Sequence, residues 1–224
     1  MVRRALVVVD LQEDFLPPDG TLAIKEGRSI VPRINELIKG EQLRQWALVV
    51  ATQDWHPANH ACFASQHGVE PFTQREFARP QSEAGEKQMQ VLWPDHCVQG
   101  THGSRLAPSF ADAFERIGDK TKTAVVRKGY LQDREFYSCF QDCWGLHHTE
   151  MESILQENQV DQVVFVGLAY DYCVLRSAVD CAKKWKSFVV KKLCKSVSPE
   201  KEDETDATYR KNGVVIVDDV SEIL

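Results

Sequence analysis

The sequence predicts an α/β fold, a three-layer doubly wound sandwich around a central, mostly parallel six-stranded sheet. Three observations predict it. Six short β-branched runs recur along 224 residues. They show little two-residue alternation, as strands buried on both faces do. Helical patterns separate most of them, and strands alternating with helices imply a parallel sheet covered on both sides.

The strands fall at residues 5–9, 47–51, 123–126, 162–166, 188–190 and 214–217. After the first, Ser29 is a plausible N-cap for a helix whose Ile30, Ile34, Leu37 and Ile38 share one face. Thr149 with Glu152 forms a capping-box pattern before Ile154 and Leu155. Residues 172–186 carry Val174, Ala178, Cys181, Ala182 and Trp185 at helical spacing. The acidic run 200–206 reads as a solvated helix start or loop. Residues 55–103 break the rhythm: four Pro, four Gly and five of the seven His, with no convincing strand. A connection this long inside a compact domain is usually functional or disordered, and its Trp, Phe and His content argues for an ordered, functional one. With no repeat or linker, residues 1–224 read as a single domain, and 55–103 is its long insertion.

Composition removes several function classes. Hydrophobic residues at 43% and charged ones at 27% are globular proportions, and a net charge of −6 without a basic stripe argues against nucleic acid. The longest apolar runs are five and six residues, against the ~18 a membrane helix needs. Seven cysteines, an odd number with no Cys-x-x-Cys pair, suggest neither a disulfide framework nor an all-cysteine zinc site. The expectation is a cytoplasmic protein with a small-molecule substrate and no membrane or nucleic-acid partner. Homo-oligomerisation, and a nuclear or peroxisomal location, are left open.

Ligands of parallel α/β sheets bind outside the carboxyl ends of the strands. Asp10 follows the first strand, Asp54 and His56 the second and Lys128 the third, while the fourth runs out to Cys173. Each has a bland reading alone: Asp10 a loop cap, Lys128 a solvated amine, Cys173 a packing cysteine. Together they supply a thiol, a carboxylate to accept its proton and an ammonium to stabilise the anion. Cys173 at a helix N-terminus should also favour its thiolate. Asp54 and His56, two apart at a strand end, can reach one ion with a distant third ligand such as His96, a set that leaves positions for water or substrate. Cys97 beside His96 is a rival ligand, although neighbours on an extended chain point apart. Among the other histidines His60 is the hardest to set aside.

The segments VVVDLQEDF (7–15), QDWHP (53–57), LWPDHCVQGT (92–101), KGYLQDREFYS (128–138) and VGLAYDYCV (166–174) carry a resemblance in content, order and spacing. The chain resembles nicotinamidases of the eukaryotic, fungal type, within the isochorismatase-like cysteine hydrolase superfamily. The resemblance implies a catalytic triad of Asp10, Lys128 and Cys173. It implies a divalent metal, zinc above all, on Asp54, His56 and His96, with iron and manganese also suited to the donors. A cis peptide between Leu168 and Ala169 would turn the Ala169 amide beside that of Cys173 as an oxyanion hole. Phe15, Trp93 and Tyr137 match the aromatic wall of the substrate pocket. Gln53, Leu168 and Tyr170 depart from the commoner residues and are expected at the pocket rim. The implied activity is metal-dependent hydrolysis of nicotinamide, and also of pyrazinamide, through a cysteine thioester, in NAD salvage. The alternatives are a metal-independent isochorismatase-like or ureido-amide hydrolase, and a catalytically silent ligand-binding protein on the same fold.

Overall fold

The structure is a computed structural model that describes residues 2–81 and 85–224. Its eight strands are β1 (Arg4–Val9), β2 (Leu48–Asp54), β3 (Gln74–Ala78), β4 (Lys87–Val91), β5 (Lys122–Lys128), β6 (Gln162–Leu168), β7 (Lys186–Lys195) and β8 (Val215–Val217). Six of them form one sheet in the order β5-β2-β1-β6-β7-β8, every neighbouring pair parallel. The expected six strands are these six, and none is antiparallel. β2 and β5 run three and two residues past their expected ends, so Asp54 and Lys128 are terminal strand residues rather than the first loop residues.

Alternation along the strands loads two cores. In β1, Leu6 and Val8 face one layer while Ala5, Val7 and Val9 face the other, all fully buried. The first layer is covered by α1 (Val31–Leu37), the short α2 (Gly40–Leu43) and α3 (Pro108–Glu115). The second is covered by α4 (Met151–Glu157), α5 (Cys173–Ala182) and α6 (Glu202–Lys211). Among the described residues no helix is long and apolar enough to cross a membrane.

Three local expectations need correction. The apolar face Ile30, Ile34, Leu37 and Ile38 is buried as expected, but Ser29 caps nothing: it lies in a 3₁₀ turn and donates to the Glu26 carbonyl at 2.7 Å. The Thr149 hydroxyl accepts from the Met151 amide at 3.2 Å and donates to the Cys139 carbonyl, while Glu152 pairs with Lys184 and Gln156, so no capping box forms. Within 55–103, β3 and β4 form an antiparallel two-stranded ribbon. Its polar sequence hides it, because both faces are largely exposed and no apolar alternation is needed. The acidic run opens α6, with Glu202, Asp203 and Glu204 in the first turn and Arg210 and Lys211 in the last, the favourable sense of the helix dipole.

Starting from β1 the chain builds outward through β2 to β5, then returns to the other side of β1 with β6. The carboxyl ends of β1 and β6 therefore flank the switch point where such sheets bind ligands.

Candidate active site

Asp10 directly follows β1, fully buried and at φ +47°. Thr52 of β2 holds it twice: its hydroxyl donates to Asp10 Oδ1 at 2.5 Å and accepts from the Asp10 amide at 3.2 Å. Lys128 enters from β5, also fully buried. Its ammonium donates to Asp54 Oδ1, to the Phe136 carbonyl at 3.2 Å and to Cys173 Sγ at 3.3 Å. Asp10 Oδ2 lies 2.8 Å from the same nitrogen, an ion pair in which the ammonium favours the ionised carboxylate by charge and by hydrogen bonding. Cys173 is the first residue of α5, and single oxygens of Asp10 and Asp54 lie with its sulfur inside a 4.8 Å circle.

Burial is the largest influence on each group. It pushes the Asp10 carboxyl up to about 6, with Lys128 pulling down and Asp54 pushing up. It pushes the Cys173 thiol well above its usual range despite the opposing pull of Lys128. The ammonium acts on the thiol in the expected sense, but desolvation outweighs it. Burial works against the charge on Lys128 too, but Asp10 and Asp54 outweigh it and raise its pKa.

The second cluster shares Asp54. Its Oδ2 lies 3.8 Å from His56 Nε2 and 4.0 Å from His96 Nε2. His56 Nδ1 donates to the Gly129 carbonyl at 2.8 Å, and His96 Nδ1 donates to the Pro94 carbonyl at 2.7 Å. Both rings are thereby set with Nε2 as the free lone pair, the way backbone carbonyls orient histidine ligands. His56 Nε2 is buried without any partner, a costly state that a cation would relieve. Burial, followed by His60 and His96, keeps His56 neutral as a ligand must be. Gly129 is required here: its φ is +70°, and a Cβ would fall 2.4 Å from His56 Cε1. These residues fit a divalent metal.

His60 stacks 4.2 Å from His56, but its Nε2 bonds the Arg134 carbonyl and its Nδ1 accepts the Cys62 amide. Both nitrogens are spent on backbone. Cys97 sits in the core beside the Gly103 carbonyl, apart from the donor triplet.

One pocket joins the clusters. Phe15, Trp93 and Tyr137 line it as expected, together with Asp54, His96, Ala169 and Cys173. Trp93 Nε1 donates to Tyr137 Oη at 3.1 Å. Five lining residues were missed: Leu22, Ile24 and Val197 lie outside the motifs, whereas Tyr172 and Glu135 lie inside them. Tyr172 meets Trp93 edge-on with ring centroids 4.9 Å apart, and Glu135 is a buried carboxylate whose pKa burial raises. Gln53, Leu168 and Tyr170 do not reach this wall, which corrects the rim expectation. Leu168 and Tyr170 are core residues, and Gln53 donates to the Ser104 carbonyl.

The Leu168–Ala169 peptide is cis. The turn after it is fastened from β7: the Tyr170 amide donates to the Lys195 carbonyl at 2.9 Å, and Asp171 accepts from the Val197 and Ser198 amides at 2.9 and 2.8 Å. Among the described residues neither the Ala169 amide nor the Cys173 amide meets a protein acceptor.

Known proteins share this sequence and fold. The nicotinamidase of Saccharomyces cerevisiae is 34% identical over 96% of this chain and 99% of its own length. Its solved structure superposes with a TM-score of 0.90, covering 96% of this chain and all of that one. The nicotinamidase of Escherichia coli is 38% identical, covering 92% of this chain and 90% of its own. A pyrazinamidase of Pyrococcus horikoshii in complex with zinc is 30% identical, with a TM-score of 0.70 over 96% of this chain and 98% of that one. The isochorismatase domain matches residues 4–219, nearly the whole sequence. The chain belongs to the isochorismatase-domain family.

Proposed function

We propose that this protein hydrolyses nicotinamide to nicotinate and ammonia, and accepts pyrazinamide, as the names of its relatives suggest. Such a step recycles nicotinamide toward NAD. One observation carries the reading: a thiol, ammonium and carboxylate cluster and a two-histidine, one-carboxylate donor set share Asp54 and open into one aromatic-walled pocket.

Asp10 takes the thiol proton of Cys173, and Lys128 stabilises the resulting anion. Sulfur then bonds to the carboxamide carbon, and the oxyanion that forms is met by the unclaimed amides of Ala169 and Cys173; one such donor is worth ~3–4 kcal/mol of barrier. The C–N bond breaks as Asp10 returns its proton to the nitrogen, and ammonia leaves a thioester on Cys173. Asp10 next takes a proton from the attacking water. The C–S bond breaks, sulfur recovers the proton and nicotinate leaves. Asp54, His56 and His96 would hold the divalent cation, for which the zinc-bound archaeal relative favours zinc, and when bound it supplies a Lewis-acid point for the pyridine nitrogen. Trp93, Phe15 and Tyr137 clasp the flat ring and exclude water.

The test is ammonia release from nicotinamide by purified protein, before and after chelation and again after zinc return. Release lost with the metal and restored by zinc supports both clusters. Undiminished release after thorough chelation leaves the thiol chemistry and removes metal dependence. No release from folded, zinc-loaded protein refutes the substrate.

A further inference from the structure

The segment after β1 runs alongside residues 103–106. The Glu13 amide donates to the Arg105 carbonyl at 2.9 Å and the Asp14 amide to the Gly103 carbonyl at 3.0 Å, while Gln12 bridges to Leu106. Gln12 turns inward and grips the metal-side carboxylate residue. Its Nε2 donates to the Asp54 carbonyl at 2.8 Å and its Oε1 accepts the Asp54 amide at 2.8 Å. Asp14, two residues further, neither lines the pocket nor joins the donor set. Its carboxylate has another task.

Asp14 Oδ2 accepts the Cys97 amide at 2.7 Å. That N–H belongs to the peptide bond leaving His96, so the contact sets the plane on which His96 is mounted. Cys97 has φ +48°, a conformation that residues with a Cβ rarely adopt and keep only where the surroundings enforce it. The same residue reaches the other histidine, since its carbonyl accepts the His56 amide at 3.1 Å. The His56 carbonyl in turn accepts the Gln99 amide at 2.9 Å. One turn, held by one carboxylate, thus carries His96 and supports His56. Gly103 makes room for it: a Cβ there would fall 2.0 Å from Asp14 Oδ2.

We infer that Asp14, seated against Gly103, is a positioning residue for the metal site, holding the 96–97 turn so that both histidine Nε2 atoms converge with Asp54. The inference rests on the metal reading above. Outer-shell groups that orient ligands typically change metal affinity 10- to 100-fold when removed.

The test measures zinc affinity and fold stability separately. Metal-free wild type, Asp14→Ala, Asp14→Asn, Gly103→Ala and the Asp14→Ala/Gly103→Ala double variant are titrated with zinc against a chromogenic chelator. The thermal midpoint of each metal-free protein is recorded alongside. Asp14→Ala is expected to weaken zinc binding about 10- to 100-fold. Asp14→Asn keeps an oxygen for the Cys97 amide and should stay close to wild type. Gly103→Ala should weaken binding as Asp14→Ala does, and should add nothing in the double variant, where its methyl meets no carboxylate. A merely structural role would lower the midpoints and leave the zinc affinity of folded protein unchanged. The inference is overturned if Asp14→Ala binds zinc like wild type, if Asp14→Asn is as weak as Asp14→Ala, or if Gly103→Ala weakens the double variant further. Wild-type protein that takes up neither zinc, manganese nor iron overturns the metal reading itself, an outcome distinct from intact wild-type binding with an indifferent Asp14.

Discussion

The Lys128 ammonium has four acceptors around it: Asp54 Oδ1, Asp10 Oδ2, the Phe136 carbonyl and Cys173 Sγ. Asp10, buried and paired with that ammonium, is a carboxylate beside the Cys173 thiol, which burial keeps protonated. Asp10 must be ionised to take that proton. Its carboxyl is pushed up to about 6, so kcat/KM for nicotinamide should be low below that pH and rise through an ascending limb near 6. The Thr52 hydroxyl favours the ionised form, and Thr52→Val removes it without changing shape. Losing a hydrogen bond to a charged group, worth ~1.5 kcal/mol, corresponds to about one pH unit. The limb should therefore move up by about that much, which a pH–rate profile of the variant reads; a limb that stays in place denies Asp10 the role of base. Cys173→Ala should abolish ammonia release and leave the far-ultraviolet circular dichroism unchanged, because alanine suits the first turn of α5.

Single elements carry this chemistry unequally well in the sequence. The strand ends were legible because polar residues directly after an apolar run are a strong pattern; Asp10, Asp54 and Lys128 were singled out by it, and Cys173 by the helix start that follows the fourth run. What lies beyond strand and helix periodicity was less so. β3 and β4 have no buried face to write a pattern, Ser29 spends its hydroxyl on the Glu26 carbonyl, and Thr149 receives the Met151 amide but lacks the reciprocal Glu152 contact. Tyr172 and Glu135 were in plain view within the motifs, but only the fold turns them into the pocket. Gly129 is a similar case: nothing in one sequence says that the missing Cβ makes space for an imidazole at the end of the neighbouring strand. Gly129→Ala would both strain φ +70° and strike the His56 ring. It should weaken zinc binding 10- to 100-fold, measured by chelator competition, while Gly213→Ala, also at positive φ but with open space around it, should cost stability alone.

At the scale of the molecule, the order β5-β2-β1-β6 brings four strand ends to one edge, which is why a carboxylate, a donor pair, an ammonium and a thiol from four separate stretches of sequence become neighbours. Parallel strands put these ends on one edge, and the reversal of strand order beside β1 opens the crevice in which they meet. Asp54 then makes the two clusters one unit, with Oδ1 on Lys128 and Oδ2 toward the histidines. Recognition of both ends of the substrate should follow. Benzamide fits the aromatic slot but offers no ring nitrogen, so its kcat/KM should fall at least ~100-fold below that of nicotinamide, whereas pyrazinamide keeps the nitrogen and should be turned over. Equal turnover of benzamide would remove the orienting role of the metal. Metal binding should also register in the stability of the whole fold, because Asp54, His56 and His96 lie on the central sheet and on the long insertion that packs against it. With free zinc at a thousand times its dissociation constant the folded state gains about 4 kcal/mol. For a domain of this size each kcal/mol moves the midpoint by about 2–4 °C, so zinc should raise it by roughly 8–16 °C in a thermal melt. His96→Ala removes one ligand and leaves the sheet intact, and its midpoint should respond to zinc far less. A wild-type midpoint indifferent to zinc, with the ion demonstrably bound, would mean that the donors are as well ordered in the unfolded chain as in the folded one, which their separation along the sequence forbids; the ion would then have to sit elsewhere.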